Sequence, residues 1–210
     1  MTVGRIIIGD ACVAEGAAWL AQHDPRFAQA LQRTGPLPLR LRDDGFRELL
    51  SAIISQQVSV ASAAAIWQRM VDADLTDAAS IRAASEDDLK AAGLSRPKMR
   101  YARALAEAEI EYDALRAMPD AQVIAVLLKV PGIGPWTAEI YAMFSLGRAD
   151  VFPPGDLALQ ESARVLFNLE ARPSEKAFRV MSQAWSPWRA VAARLLWAYY
   201  RVAKDREGIR

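Results

Sequence analysis

The residues able to do chemistry in this chain concentrate in one stretch. VPGIGPWTAEIYAMFSLGRADVFPPGD, residues 130–156, carries two Gly/Pro interruptions and two aspartates, Asp150 and Asp156. In PGIG, Gly132 and Gly134 can take positive φ and leave no Cβ to obstruct an approach to the backbone. Amides at the start of the helix opening at Pro135 then point outward with the positive end of its dipole, a phosphate site that needs no basic side chain. The same residues also suit a tight corner between two helices with glycine as a C-cap, and the turn alone does not separate the two readings. Asp156 closes FPPGD and opens DLALQESARVLFN. An N-cap role is open to it there, and the residues alone favour capping over catalysis. Asp150 precedes the Phe-Pro-Pro turn and reads as a surface loop residue.

Elsewhere the inventory is thin. Cys12 is the only cysteine, which excludes an internal disulfide, a cysteine-ligated zinc site and a four-cysteine iron–sulfur cluster. His23, the only histidine, lies in AQHDP and suits an exposed turn. Lys90, Arg96, Lys98, Arg100 and Arg103 run between Asp88 and Glu107 with no acid among them, which is ordinarily a solvated helix face. The net charge of +1 announces no nucleic-acid partner.

Helices must position these residues. The chain is 52% hydrophobic with mean hydropathy +0.02, in the range of a soluble globule. Its 210 residues can bury a sizeable core, as one domain or two small helical lobes. No apolar run approaches the roughly 18 residues needed to span a bilayer, and MTVGRIIIGDACVAEG does not read as a signal peptide. An intracellular protein, with no membrane partner, is expected. FRELLSAIISQQ (46–57) places Phe46, Leu49, Leu50, Ile53 and Ile54 on one helical face behind a cap pair, Asp43–Asp44. Helices are also expected over 58–71, 96–112, 120–130, 136–147, 156–168, 174–185 and 187–204, the last with Pro187 in its first turn. Two short helices between them start at Thr76 and at Ser85, where Ser85 and Asp88 form a capping-box pattern. Only GRIIIG (4–9) resembles a strand. The fold class is therefore all-α, with about ten helices. LKAAGLSRPKMRYARAL (89–105) and LLKVPGIGPWTAEIYAM (127–143) both run helix, Gly-apolar turn, helix, so two similar hairpins are expected.

LLKVPGIGPWTAEIYAMFSLGRADVFPPGD resembles the helix-hairpin-helix plus Gly/Pro-Asp signature of the DNA glycosylase superfamily. FRELLSAIISQQVSVASAAAIW, GLSRPKMRYARALA and WSPWRAVAARLLWAYY agree, in the family's order, so the resemblance covers roughly residues 40 to 204. Within the superfamily the chain is similar to the 3-methyladenine DNA glycosylases of AlkA/Mag type. The resemblance implies two helical lobes with a helix-hairpin-helix motif and a DNA-binding cleft between them. The lobes are expected over 1–40 plus 150–210 and over 41–149, with no separate N-terminal domain. It makes Asp156 the catalytic residue and places Gly132, Ile133, Gly134 and Thr137 on the DNA backbone. Trp136 and Trp197 become base-pocket residues, with Ile140 and Tyr141 beside them. Gln57 becomes the wedge that enters the base stack after flipping, with Gln56 its neighbour. Ile140 departs from the family's pocket tyrosine. Tyr141, one step on, is turned about 100° around the helix and cannot simply substitute for it. Trp185 and Trp188 look structural, and Trp19 and Trp67 have no claim.

One carboxylate suffices for the implied reaction. Cleaving an N-glycosidic bond builds oxocarbenium character on the sugar. A fixed carboxylate beside C1′ stabilises that charge and orients or deprotonates the attacking water. N3- and N7-alkylated purines leave as cations and need no general acid. The lyase branch carries a lysine on the post-hairpin helix; PWTAEIYAMF has none, and Lys129 lies before the turn. A monofunctional enzyme is expected, acting as a monomer on double-stranded DNA with alkylated bases and leaving an abasic site. No cofactor and no side-chain metal site are expected, although the VPGIG carbonyls permit a monovalent cation. The rivals are a related glycosylase for other damaged or mismatched bases, a non-enzymatic helix-hairpin-helix module, and a helical interaction domain without DNA. In a prokaryote the enzyme would be cytoplasmic and nucleoid-associated.

Overall fold

The computed structural model describes residues 3–207, with side chains as far as Lys204. Its helices are α1 Asp10–His23, α2 Pro25–Thr34, α3 Phe46–Ser55, α4 Val60–Asp72, α5 Ala78–Ala83, α6 Glu86–Ala91 and α7 Arg96–Glu107. They continue with α8 Tyr112–Ala117, α9 Asp120–Leu127, α10 Pro135–Phe144, α11 Leu157–Leu166, α12 Glu175–Met181 and α13 Arg189–Glu207. A 3₁₀ turn, Ser182–Trp185, precedes α13. Among the described residues no strand forms. GRIIIG contributes a single antiparallel bridge, Ile6 with Arg148. No helix among them is long and apolar enough to cross a membrane.

The chain divides into two compact units, one formed by Arg42–Tyr141 and the other by the residues up to Leu41 and from Ala142 onward. The second division falls inside α10 and not at 149/150. Its physical cause is the last turn of that helix: Phe144 packs on Trp197 at 5.9 Å and lies under the Arg194 guanidinium at 4.8 Å, all within the second unit.

In the first unit α3 packs on α4 and α7, and α7 also receives α5 and α6. The face read from FRELLSAIISQQ is the buried one: Leu49, Leu50, Ile53 and Ile54 are at most 1% exposed. Its start differs from expectation. Gly45 is the N-cap, with φ +96 and no side-chain cap, while Asp44 pairs with Arg116. The α5 cap is Asp77, which forms a reciprocal box with Ser80, and not Thr76. The Ser85–Asp88 box forms as read. The expected 96–112 helix stops at Glu107, because Glu109 takes φ +44 before α8 begins.

In the second unit α13 packs against α1, α2 and α11. Helix α1 carries a weak sequence signal. Two of the four buried positions on α1 (Val13, Gly16, Ala17 and Leu20) are too small to register as an apolar stripe. Gly16 is small for a reason: a Cβ there would lie 2.7 Å from Trp188 and Val191. Trp185 centres a core of edge-on and stacked rings, with Phe27, Phe152, Phe167 and Phe178 at 5.3–5.8 Å. Trp185 and Trp188 are thus structural. Pro187 lies ahead of α13, in a cis Ser186–Pro187 bond, and not in its first turn. Buried Arg194 donates to the Leu39 carbonyl at 3.0 and 3.2 Å and to the Ala190 carbonyl at 2.9 Å. It fastens the segment just before the chain leaves this unit, and burial pulls its pKa down to about 10.

Candidate active site

The hairpin between α9 and α10 is built by its own residues. Gly132 takes φ +94, and Tyr101 explains why only glycine fits: an added Cβ would sit 2.4 Å from its Cγ. Ile133 is buried and donates its amide to the Val130 carbonyl at 3.0 Å, which anchors the turn from beneath. At Gly134 an added Cβ would meet nothing within 4 Å, so this backbone faces open space. The first helical hydrogen bond after it runs from Ala138 N–H to Gly134 O at 3.0 Å, so the Thr137 amide precedes the ladder. The Thr137 side chain is buried. The α6–α7 hairpin repeats the design: Gly93 has φ +97, Leu94 is buried, and α7 starts at the third residue after the glycine. The expected pair of similar hairpins is present in the first unit.

The turn after α3 carries the two glutamines. Gln56 is extended, with φ −64 and ψ 134, so α3 ends at Ser55 and not at Gln57. Gln57 takes φ +56 and is exposed. Ser59 caps α4, accepting the Ser62 amide at 3.1 Å. The structure gives Gln56 a partner that sequence could not: its Nε2 donates to the Gly132 carbonyl of the hairpin at 2.9 Å. Lys98, 9% exposed, donates from Nζ to the Ile54 carbonyl at 2.6 Å, and burial lowers its pKa. Gln56, Gln57, Lys98 and Tyr101 line one cavity of about 450 Å³.

In the second unit, Asp156 is the N-cap of α11; its Oδ1 accepts the Leu159 amide at 3.0 Å, and the residue is half-buried. The Pro-Pro turn before it is held by two bonds. Asp156 N–H donates to the Pro153 carbonyl at 3.1 Å, and buried Gln160 donates to the Pro154 carbonyl at 2.8 Å. Sequence reading missed Gln160, although its place four residues after Asp156 puts both on one face of α11. Asp150 is not a plain surface residue. Its carboxylate takes Arg189 in a two-pronged pair at 2.7 and 3.0 Å and accepts Ser186 Oγ at 2.8 Å.

The aromatic candidates differ in exposure. Trp136 is 45% exposed. Trp197 is half-buried against Phe144, with the rings tilted by 31°. Ile140 is half-buried. Tyr141 is buried, and its hydroxyl accepts the Gly45 amide at 2.8 Å; burial pushes its pKa up to about 12. His23 is exposed and stacks on Trp19 at 3.7 Å. Among the described residues no group of three or more His, Cys, Asp or Glu is placed to hold a metal ion.

The sequence model of the HhH-GPD superfamily, described as base excision DNA repair proteins, matches residues 50–190. The YfjP protein of Bacillus subtilis is 30% identical over 173 residues, which are 76% of this chain and 60% of that protein, so the chain spans less than two thirds of that relative. The solved DNA-3-methyladenine glycosidase of Bacillus halodurans superposes with a TM-score of 0.81 at 30% identity, covering 89% of each chain. The Schizosaccharomyces pombe 3-methyladenine DNA glycosylase Mag1, solved in complex with abasic DNA, superposes with a TM-score of 0.76 at 28% identity, over 87% of this chain and 95% of that one.

Proposed function

The chain belongs to the HhH-GPD superfamily of base excision DNA repair proteins, and from that premise we propose that it is a monofunctional DNA glycosylase for alkylated purines. It binds duplex DNA as a monomer inside the cell, turns an N3- or N7-methylated purine out of the stack and hydrolyses its N-glycosidic bond. Asp156 is the carboxylate that stabilises positive charge on the sugar and directs water to C1′. The observation that carries this reading is the fixed seat of Asp156. Its Oδ1 accepts the Leu159 amide at the mouth of α11, behind a Pro-Pro turn that buried Gln160 holds through the Pro154 carbonyl. A carboxylate held that way keeps its position while its charge does the work.

The other roles follow from exposure and backbone geometry. The Gly132–Gly134 turn with the Thr137 amide holds a phosphate, supported by the open face at Gly134. Trp136 and Trp197 each offer an aromatic face to a cationic base, an attraction of about 0.5–2 kcal/mol per ring. Ile140 leaves the pocket wall aliphatic. Tyr141, with its hydroxyl committed to Gly45, supports that wall from within the first unit. Gln57, exposed at its turn, fills the gap in the stack. The absence of lysine from PWTAEIYAMF supports hydrolysis without strand cleavage.

The test is base release from a panel of duplexes bearing one lesion each: 3-methyladenine, 7-methylguanine, hypoxanthine or ethenoadenine. Release of the methylated purines, with Asp156→Asn slower by roughly 10²–10³-fold, is expected. Full activity in Asp156→Asn refutes the catalytic assignment, and strand cleavage or borohydride trapping by the pure protein refutes the monofunctional one.

A further inference from the structure

Gln57 holds a left-handed backbone, φ +56, which is unfavourable for a non-glycine residue and persists where neighbours enforce it. Three contacts converge around it. Lys98 Nζ bonds the Ile54 carbonyl, one of the last carbonyls of α3 that the helix leaves unmet. Gln56 Nε2 bonds the Gly132 carbonyl across to the hairpin. The Tyr101 ring lies against Gly132 so closely that no Cβ fits between them. Lys98 and Tyr101 are three residues apart on α7 and share one face. Helix α7 is therefore a bracket, with Lys98 on the turn, Tyr101 on the hairpin and Gln56 closing the triangle. Two of the three contacts grip backbone carbonyls, so they fix the path of the chain itself.

We propose that Gln56, Lys98 and Tyr101 are positioning residues that lock the 55–59 turn to the 131–134 hairpin, so that a phosphate seated on the hairpin sets where Gln57 meets the base stack. The proposal rests on the glycosylase reading for its consequence and on the free protein for its geometry. Gln56 is here the tie and Gln57 alone the wedge. A buried ammonium spent on a single carbonyl is a costly device for mere packing; as an anchor for a turn that must arrive at a set place, it has a purpose.

The experiment pairs Gln56→Met, similar in length but without a donor, with Lys98→Met and Lys98→Arg. In the free protein, amide hydrogen exchange in Gln56→Met is expected to rise about tenfold at both the 55–59 turn and the 131–138 hairpin, the weight of one hydrogen bond. On the panel lesion that wild type releases fastest, the single-turnover rate is measured with the lesion paired in a duplex and in a single strand. The ratio of the two rates is expected to fall about tenfold in Gln56→Met and Lys98→Met and to recover in Lys98→Arg, which keeps the donor. A merely structural role would lower both rates together. Exchange that rises at the turn while the hairpin stays at the wild-type rate overturns the proposal, and so does an unchanged ratio in Gln56→Met. If Lys98→Met fails to fold, the half-buried Gln56 variant decides. Wild type that releases no base from any lesion refutes the glycosylase reading, and the exchange result then judges the tie by itself.

Discussion

At Asp156 two demands meet in one carboxylate: it caps α11 and, in the proposed reaction, faces the sugar. The two are separable because asparagine caps a helix about as well as aspartate. Asp156→Asn is expected to lose base release while its unfolding midpoint in urea stays close to wild type. Asp156→Ala is expected to lose both, with a further drop of about 0.5–2 kcal/mol in stability. Tyr141 is the second residue with a double life. Its hydroxyl accepts the half-buried Gly45 amide, so Tyr141→Phe removes that hydrogen bond and should destabilise by about 0.5–1.5 kcal/mol in urea melts. Burial raises its pKa from 10.0 to about 12, so in the window between these values the unfolded chain has lost a proton that the fold still holds. Stability is therefore expected to be flat below that window and to fall as the pH rises through it. Tyr112, also raised by burial and beside Tyr141, adds to the same fall. Tyr141→Phe should make it shallower, as read by circular dichroism.

The hairpin between α9 and α10 is the element where packing and binding can be told apart. Gly132 needs its left-handed φ and has Tyr101 against it, so Gly132→Ala should cost about 1–3 kcal/mol of stability before any effect on DNA. At Gly134 the backbone is not left-handed and space is open, so Gly134→Ala should fold normally. If phosphate docks on these amides, the new methyl group stands in its way, and duplex affinity measured by anisotropy should fall several-fold. Normal affinity in a folded Gly134→Ala would count against the amide grip. The α6–α7 hairpin repeats the same glycine, buried aliphatic and helix start. That likeness was visible in sequence because it depends on local backbone needs. The tie from Gln56 to Gly132 was not, because those residues lie far apart in the chain.

For the whole molecule, a net charge of +1 and the proposed grip of the hairpin through amides imply modest electrostatic attraction to DNA. Binding to undamaged duplex should weaken linearly on a logarithmic salt scale, with a slope of roughly two to four phosphates between about 50 and 200 mM salt. A salt-independent affinity would speak against phosphate contact. Sequence alone determined the helical class, the amphipathic faces, the Ser85–Asp88 box and the glycine turns, because each follows from side-chain periodicity or a single φ requirement. The same local logic made Asp156 legible as a cap, and motif order marked it as the acid to watch. Tertiary structure alone decided that Asp150 is spent on Arg189, that Tyr141 is held by Gly45, and that the chain divides within α10. It alone showed that α1 packs through a glycine on Trp188 and that Gln56 reaches the hairpin. These facts depend on which distant backbone groups and rings fold against one another, and no spacing along the chain encodes that partnership.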